Sequence, residues 1–333
     1  MYQQTIGHRF TLSGKGLHTG LSINATFCPA EPNTGIRLRR VDLPSQPAYE
    51  ALAQYVTQTT RGTVLENGSW RISTVEHALS ALYAMGITNC LIEVDAPELP
   101  ILDGSAQPFV EAITQAGVVQ QDAEAKEWVV AEQLTFDNGK GSVMTITPSD
   151  HYEVHVTVRY PSPILSEQSA QLTDLTQYPQ EVAAARTFCF LREIKPLLQL
   201  GLIKGGDLQN ALVIYDKPIW QCSMNRIAKR LQQPLVDASK LGYLSPLKYE
   251  NEPARHKLLD VIGDLALVGM RIRARIDVTC PGHDFNTSCA KQITNNQSPI
   301  INAEQGERSF KHECLFKKTK TIKTPSSDLR LCR

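Results

Sequence analysis

The sequence predicts an α+β protein with two similar layered domains, each a sheet with helices, that face each other across one shared cleft. Short segments with alternating apolar residues, such as Ser22 to Phe27, are bounded by turn residues, which is typical of strands joined by hairpins. The two halves also share a pattern: "HALSALYAMGITNCLIEVDAP" and "DVIGDLALVGMRIRARIDVTCPG" each indicate a helix closed by glycine, then a strand, then a turn with proline. This repetition predicts a duplicated sheet-plus-helices unit.

The first half begins with strands and continues with two helices. Alternation predicts strands at residues 22–27 and 36–40, and Asn67-Gly68 predicts the tip of a hairpin. In "ISTVEHALSALYAMG" a helix follows, which Gly86 ends as a left-handed cap, and Ser73 with Glu76 fits the S-x-x-E capping box. After the strand "NCLIEVDAP", the segment "PFVEAITQAG" predicts the second helix.

The second half is expected to follow a polar linker near residues 118–128. We place the first α+β domain at 1–124 and the second at 125–305. A strand, helix and strand pattern in "AARTFCFLREIKPLLQLGLIKGGDLQNALVIYD" predicts a βαβ insert near 188–216. The remaining residues, 306–333, are rich in Lys and Arg and lack clear periodicity, so we expect a basic, disordered tail.

Composition limits the class of protein. The 333 residues include 34 Lys plus Arg and 34 Asp plus Glu, so no global positive field favours nucleic acid. The chain shows no signal peptide and no run of about 18 apolar residues that would span a bilayer. Eight scattered cysteines without a C-x-x-C pair indicate reduced thiols. We therefore expect a cytoplasmic protein that neither binds nucleic acid nor inserts stably into membranes. We also expect a monomer.

Glu76 and His77 stand at the start of the first predicted helix and allow two interpretations. Glu76 fits an ordinary helix cap. His77 is less easily explained by packing, because its helical neighbours, such as Ser80 and Ala81, are small. The positive end of the helix dipole favours its neutral form, and neutral imidazole is the form that binds metals.

His256 and Asp260 lie four residues apart in "EPARHKLLDVIGDLALVG", so they share one face of a helix. An exposed pair on a solvated face is the simpler explanation of this spacing. Together with His77, however, the pair completes two histidines and one aspartate, which matches a catalytic zinc site with three protein ligands. Glu76, one residue from a ligand, is then placed to act as a general base.

His283 follows a predicted turn at the end of the last strand, in "TCPGHDFNTS". A histidine in a loop is most often merely exposed. A nearby carboxylate such as Asp264 would raise its pKa and keep it protonated, ready to donate to a leaving group. Acid and base would then come from opposite halves of the chain.

Seven segments in order resemble the zinc-dependent UDP-3-O-acyl-N-acetylglucosamine deacetylases, which catalyse the committed step of lipid A synthesis in Gram-negative bacteria. They are "GKGLHTG", "PNTGIRLRR", "RISTVEH", "PILDGSA", "ARTF", "GLIKGGD" and "RHKLLDVIGD", with "GH" after the last strand. The resemblance covers roughly residues 1–305 and also implies two similar α+β domains around the active site.

The resemblance implies a role for each matching residue. One zinc ion per chain would be bound by His77, His256 and Asp260, with Glu76 as general base and His283, partnered by Asp264, as the acid. Thr187 of "ARTF" would stabilise the oxyanion, and Lys257 and Phe188 would contact the substrate, UDP-3-O-acyl-N-acetylglucosamine. The segment after "ARTF" would form a passage for the acyl chain, lined by Phe190, Ile194, Leu202 and Ile203. Ordinary helix packing explains these four apolar residues equally well.

Two other functions are consistent with the sequence. One is a catalytically silent protein that binds nucleotide sugars, although the intact metal-binding residues argue against it. The other is the deacetylase half of a bifunctional deacetylase and hydroxyacyl-carrier-protein dehydratase, which a longer reading frame downstream would reveal.

Overall fold

The computed structural model describes residues 1–194, 204–230, 234–295 and 320–323. In this part of the chain, helices alternate with several separate sheets, so the fold is mixed α and β. This confirms the predicted mixture of secondary structures.

A five-stranded sheet organises the first half. Its strands are β2 (Phe10–Lys15), β3 (Ser22–Pro29), β4 (Ile36–Arg40), β5 (Ala48–Glu50) and β9 (Cys90–Val94), in the order β2-β3-β9-β4-β5. A smaller sheet contains β6 (Val56–Gln58), β7 (Val64–Asn67) and β8 (Trp70–Ser73), and β1 (Tyr2–Ile6) pairs with β10 (Val118–Glu124). The predicted Asn67-Gly68 turn joins β7 to β8, with Gly68 in the left-handed region.

A six-stranded sheet organises the second half. Its strands are β12 (Leu134–Asp137), β13 (Val143–Thr147), β14 (Glu153–Arg159), β15 (Glu167–Leu172), β20 (Arg275–Thr279) and β21 (Lys320–Lys323), in the order β15-β14-β20-β13-β12-β21. Beside it, β11 (Glu127–Val129) pairs in parallel with β19 (Arg271–Arg273). The run β12-β13-β20-β14-β15 repeats the antiparallel, antiparallel, parallel and antiparallel pairings of β2-β3-β9-β4-β5.

Two helices bring the halves together. In the described part of the chain the helices include α1 (Glu76–Ala84), α2 (Gln107–Ala116), α3 (Tyr178–Glu181), α4 (Gln221–Arg230), α5 (Glu252–Ala266) and α6 (His283–Asn295). α1 packs directly on α5, and their apolar faces belong to one continuous buried core. The approach is close at Gly263, where a Cβ atom would lie 2.1 Å from the carbonyl oxygen of Glu76. As predicted, Gly86 and Gly269 follow these two helices in the left-handed conformation.

The insert of the second half contains a further small sheet. β16 (Phe188–Phe190) and β17 (Leu212–Tyr215) are parallel, and β18 (Gly242–Tyr243) pairs antiparallel with β17. Residues 191–194 are helical, and residues 195–203 lie outside the described part. The parallel pair is the arrangement that a βαβ insert requires.

Two local predictions are wrong. The polar stretch at 118–128 is not a linker, because β10 and β11 lie within it and their backbone groups pair with β1 and β19. Ser73 and Glu76 do not form a capping box, since Ser73 ends β8 and its hydroxyl donates to the carbonyl oxygen of Pro97. Thr74, in the left-handed region, separates that strand from α1.

The predicted disordered tail lies mostly outside the described residues. Its residues 320–323 form β21, which pairs in parallel with β12, so the prediction does not hold for these four. Their backbone groups gain hydrogen-bond partners along what would otherwise be a sheet edge.

Two predictions about environment can be compared with the described residues. The six cysteines there are free thiols, as expected: Cys28, Cys90, Cys189, Cys222, Cys280 and Cys289. In the same residues, no helix combines the length and the apolar character needed to cross a bilayer.

Candidate active site

Three buried side chains from two helices converge where α1 crosses α5. His77 lies in the first turn of α1, and His256 and Asp260 lie one turn apart on α5. One donor atom from each falls within 4.8 Å of the others. The predicted set of two histidines and one aspartate is therefore brought together, although its members are distant in the chain.

The unpaired atoms of this cluster fit a metal ion. His77 Nδ1 and Asp260 Oδ1 are buried and have no hydrogen-bond partner among the described residues. His256 Nδ1 lies 3.0 Å from the carbonyl oxygen of Ala185, which can only accept, so this nitrogen carries the proton. His256 Nε2 is left with its lone pair, 3.4 Å from Asp260 Oδ1. Two neutral imidazoles and one carboxylate suit zinc with an open position.

The electrostatics of the cluster also favour a cation. Burial lowers the pKa of His77 to about 3, and burial likewise lowers the pKa of His256. Burial opposes ionisation of Asp260, but Lys257 and the neighbouring histidines outweigh it and hold its pKa well below the usual range. At neutral pH the imidazoles are thus neutral and the carboxylate is charged, which are the states that bind metal.

Glu76 lies next to the cluster with one oxygen already engaged. The backbone N–H of Thr63 donates to Glu76 Oε2 at 3.0 Å, and Glu76 Oε1 lies 4.0 Å from His283 Nε2. Burial raises the pKa of Glu76 to about 7, and the nearby His283 partly opposes this. A carboxylate with such a pKa takes up and releases protons near neutrality, which suits a general base.

His283 and Asp264 form the predicted pair. His283 Nδ1 lies 2.9 Å from Asp264 Oδ2, and His283 Nε2 points to the cluster, 3.8 Å from Asp260 Oδ2. Burial would lower the pKa of His283, but the carboxylates of Asp264 and Asp260 outweigh it and raise this pKa to about 9. His283 is the first residue of α6, however, and not part of a loop.

Sequence analysis missed Thr63 and Asn286. Besides its contact with Glu76, Thr63 donates its hydroxyl to Asp264 Oδ1 at 2.6 Å, and Asn286 Nδ2 donates to Asp264 Oδ2 at 2.9 Å. Asn286 would have been found had α6 been predicted, because it lies three residues after His283 on the same helix face. No local pattern in the sequence marks Thr63.

Two further predicted residues, Lys257 and Phe188, lie beside the cluster, and a third, Thr187, directly precedes Phe188 in the chain. The ring of Phe188 has its centroid 6.4 Å from that of His256, and Lys257 Nζ lies 5.6 Å from the centroid of Phe188. Lys257 Nζ also donates to Asp260 Oδ2 at 2.7 Å. Thr187 is half-buried, and its N–H donates to the carbonyl oxygen of Gly104 at 2.7 Å. These contacts place Lys257 and Phe188 beside the metal-binding residues.

The residues proposed to line an acyl passage differ in their surroundings. Phe190 is buried in a small core with Leu165 and Ile214. Ile194 is buried in a second core of the insert. Leu202 and Ile203 lie outside the described residues.

Comparison with known proteins identifies the family. The family model described as UDP-3-O-acyl N-acetylglycosamine deacetylase matches residues 3–232 and 230–295. A UDP-3-O-acyl-N-acetylglucosamine deacetylase of Citrifermentans bemidjiense is 39% identical over 296 residues, which cover 88% of this chain and 89% of that protein.

Two bifunctional relatives are more similar in sequence but longer. The bifunctional enzyme LpxC/FabZ of Porphyromonas gingivalis is 48% identical over 90% of this chain and 67% of its own length. The enzyme of the same name from Bacteroides thetaiotaomicron is 49% identical over 87% of this chain and 64% of its own length. The chain thus spans about two thirds of these proteins. From the family match and the near full-length relative, the chain belongs to the UDP-3-O-acyl-N-acetylglucosamine deacetylase family, whose members are hydrolases that act on an acetamide.

Proposed function

We propose that the chain hydrolyses the acetamide of UDP-3-O-acyl-N-acetylglucosamine and releases acetate, the committed step of lipid A biosynthesis in Gram-negative bacteria. The observation that carries this proposal is the buried cluster of His77, His256 and Asp260, with Glu76 and His283 both facing it. This is the arrangement that amide hydrolysis needs, with a base and an acid on either side of the reacting bond.

One zinc ion held by His77, His256 and Asp260 would supply Lewis-acid polarisation of the acetamide carbonyl. Glu76 takes the proton of the attacking water through its carboxylate. His283 donates the proton on Nε2 to the leaving amine nitrogen, because Asp264 already holds Nδ1. The water oxygen adds to the carbonyl carbon and gives a tetrahedral intermediate. The C–N bond breaks when this intermediate collapses and the nitrogen takes the proton from His283, which gives acetate and the free amine.

The proposed substrate contacts involve side chains beside the cluster and in the insert. The hydroxyl of Thr187 would donate to the oxyanion of the tetrahedral intermediate. Lys257 would contact the polar sugar or phosphate portion, and Phe188 would stack on the sugar ring. Apolar side chains of the insert, Phe190, Ile194, Leu202 and Ile203, would guide the acyl chain.

We also propose that the two halves, 1–124 and 125–305, are one duplicated α+β unit. Support comes from the two five-strand runs with the same succession of pairings, each with a helix before its central strand, β9 or β20. The free thiols of the described cysteines fit a cytoplasmic protein, and we expect a monomer.

The test begins with acetate release from UDP-3-O-acyl-N-acetylglucosamine and with the metal content of the purified protein. We expect chelation to abolish turnover and zinc to restore it. Glu76→Gln should keep the metal but lower kcat by about 10²–10⁴-fold, which is typical for loss of a general base. Glu66→Gln, at a surface carboxylate paired with Arg71, is the matched control and should leave kcat unchanged. A wild type that binds metal and substrate but releases no acetate would instead support a silent binding protein.

The bifunctional hypothesis is favoured by the two longer relatives, both of which are bifunctional LpxC/FabZ enzymes. Sequencing the coding region beyond residue 333 tests it. A continuing frame that encodes a dehydratase would support this second candidate, and a stop codon there would reject it.

A further inference from the structure

Thr63 links the candidate base to the candidate acid pair through two different groups. Its backbone N–H donates to Glu76 Oε2 at 3.0 Å, and its hydroxyl donates to Asp264 Oδ1 at 2.6 Å. The residue is fully buried, so water does not compete for either bond. One residue of the first half therefore contacts the proposed base and the partner of the proposed acid, and its hydroxyl oxygen also lies 3.4 Å from His283 Nδ1.

The backbone before Thr63 is shaped for this close approach. Arg61 and Gly62 both have positive φ angles, 63° and 156°. A Cβ atom on Gly62 would lie 3.1 Å from Glu76 Oε1, which is tighter than ordinary contact. The turn thus brings the N–H of Thr63 to the base, and β7 continues directly from Thr63 at Val64.

The hydroxyl of Thr63 has a different task from its N–H. Asp264 Oδ2 accepts from both His283 Nδ1 and Asn286 Nδ2, each at 2.9 Å, while Oδ1 accepts from Thr63. With both oxygens engaged, rotation of the carboxylate is restricted. With Nδ1 on Asp264, the imidazole of His283 presents Nε2 to the cluster, so the orientation of the carboxylate bears on that of the imidazole.

We infer that Thr63 is a positioning residue for the hydrolysis, whose hydroxyl holds Asp264 so that His283 presents Nε2 to the leaving nitrogen. The backbone N–H of Thr63 donates to Glu76 Oε2, so one oxygen of the proposed base is already hydrogen-bonded. The inference rests on the proposed function, because the acid that it positions is the acid of that reaction. Loss of the hydroxyl impairs proton delivery and leaves substrate binding unchanged.

The experiment compares two variants that keep the N–H. Thr63→Val keeps the shape but removes the hydroxyl, and Thr63→Ser keeps the hydroxyl but removes the methyl group. We expect Thr63→Val to lower kcat by about 10- to 100-fold, as for other partners that orient active-site groups, with KM close to that of the wild type. Thr63→Ser should retain most of kcat. Thr63→Ala, a second variant without the hydroxyl, should resemble Thr63→Val and replaces it if that chain does not fold.

Thr57→Val is the matched control. Thr57 lies in β6, the strand that pairs with β7. It donates its hydroxyl to Glu66 at 3.0 Å, but at an exposed position. Its kcat and KM should equal those of the wild type. If Thr63→Val retains the wild-type kcat, or if Thr63→Ser is as impaired as Thr63→Val, Thr63 only packs the site and the inference is wrong.

A second readout separates this inference from the proposed function. The proton between His283 Nδ1 and Asp264 should give a downfield NMR signal in the metal-free protein, assigned by its loss in His283→Gln. The signal should shift in Thr63→Val and return in Thr63→Ser. If this occurs while the wild type releases no acetate, the positioning stands and the proposed function fails. A signal that is the same in all three proteins overturns the positioning.

Discussion

At the residue scale, the candidate site depends on carboxylates whose partners differ. Asp260 is held ionised by Lys257 and the histidines around it, whereas Glu76 is buried near few compensating charges and its pKa rises to about 7. Asp264 is surrounded by three donors and in turn keeps His283 protonated. The same functional group is thus suited, according to its surroundings, to the three roles that we propose, namely ligand, base and acid partner.

The Asp264–His283 pair leads to a prediction about pH dependence. The negative charge of Asp264 raises the pKa of His283 toward about 9, so Asp264→Asn should lower that pKa. The acid would lose its proton at lower pH, and the alkaline fall of kcat/KM should move to lower pH. The pH profile of kcat/KM measures this directly.

Asp277→Asn is the control for this prediction. Asp277 is a half-buried carboxylate on β20 that contacts Arg275 and His155, so its removal changes net charge equally but leaves the site intact. An alkaline limb that stays in place in Asp264→Asn, or moves as far in Asp277→Asn, would argue against His283 as the acid.

At the scale of elements, the crossing of α1 and α5 determines the distance between the ligands. His77 is on one helix and His256 with Asp260 on the other, and their imidazole centroids are 5.1 Å apart. Gly263 permits this distance, because its missing side chain leaves room for the backbone at Glu76.

Gly263→Ala should therefore disturb both the fold and the site. The added methyl group meets the backbone of α1, which cannot rotate aside, and overpacking of this kind costs about 1–3 kcal/mol. Because the helices must separate, affinity for zinc should fall as well. Urea unfolding measures the first effect, and titration of the metal-free protein with zinc measures the second.

Gly282→Ala adds the same methyl group where no atom lies within 4 Å of it. Its free energy of unfolding should stay near that of the wild type. Equal stability and zinc affinity in Gly263→Ala and the wild type would mean that the crossing is looser than it appears from the backbone distance.

The insert also depends on contacts between elements. Arg186, just before β16, pairs with the fully buried Glu252 at the start of α5, at 2.8 Å. On the other side, the N–H of Thr187 bonds to Gly104. The strand that carries Phe188 is therefore attached to both halves of the chain.

At the scale of the whole molecule, the ligand set joins the two halves. His77 belongs to the first half, and His256 and Asp260 to the second, within one continuous core. A metal ion that binds all three side chains only in the folded protein must stabilise the whole fold.

Thermal unfolding tests this linkage. Zinc at a hundredfold excess over its Kd should stabilise the folded protein by about 2.7 kcal/mol, with a matching rise in Tm. The rise should disappear in His256→Ala and persist in His155→Ala, a histidine near the surface of β14. The same rise in all three proteins would show that zinc stabilises the chain at another place.

Much of the site follows from local patterns in the sequence. The spacing of His256 and Asp260, the first-turn position of His77 and the glycines after both helices depend on neighbours within a few residues, so periodicity and turn chemistry predict them. The linker and the capping box were wrong for a related reason. The strands at 118–124 and 127–129 pair with partners far away in the chain, and Glu76 is bound by Thr63, which lies 13 positions before it and outside its helix.

The sequence by itself determined which residues are the candidates for the chemistry, namely the histidines and carboxylates on the two helices, and the family that they indicate. Only the tertiary structure decided that Thr63 and Asn286 complete the surroundings of Asp264, and that α1 and α5 approach closely enough to bring the ligands together. The physical reason is the separation in sequence between the residues that interact. Helical periodicity is encoded by residues one turn apart, whereas the bond from Thr63 to Asp264 spans 201 positions and exists only because two helices and a turn pack around one buried carboxylate.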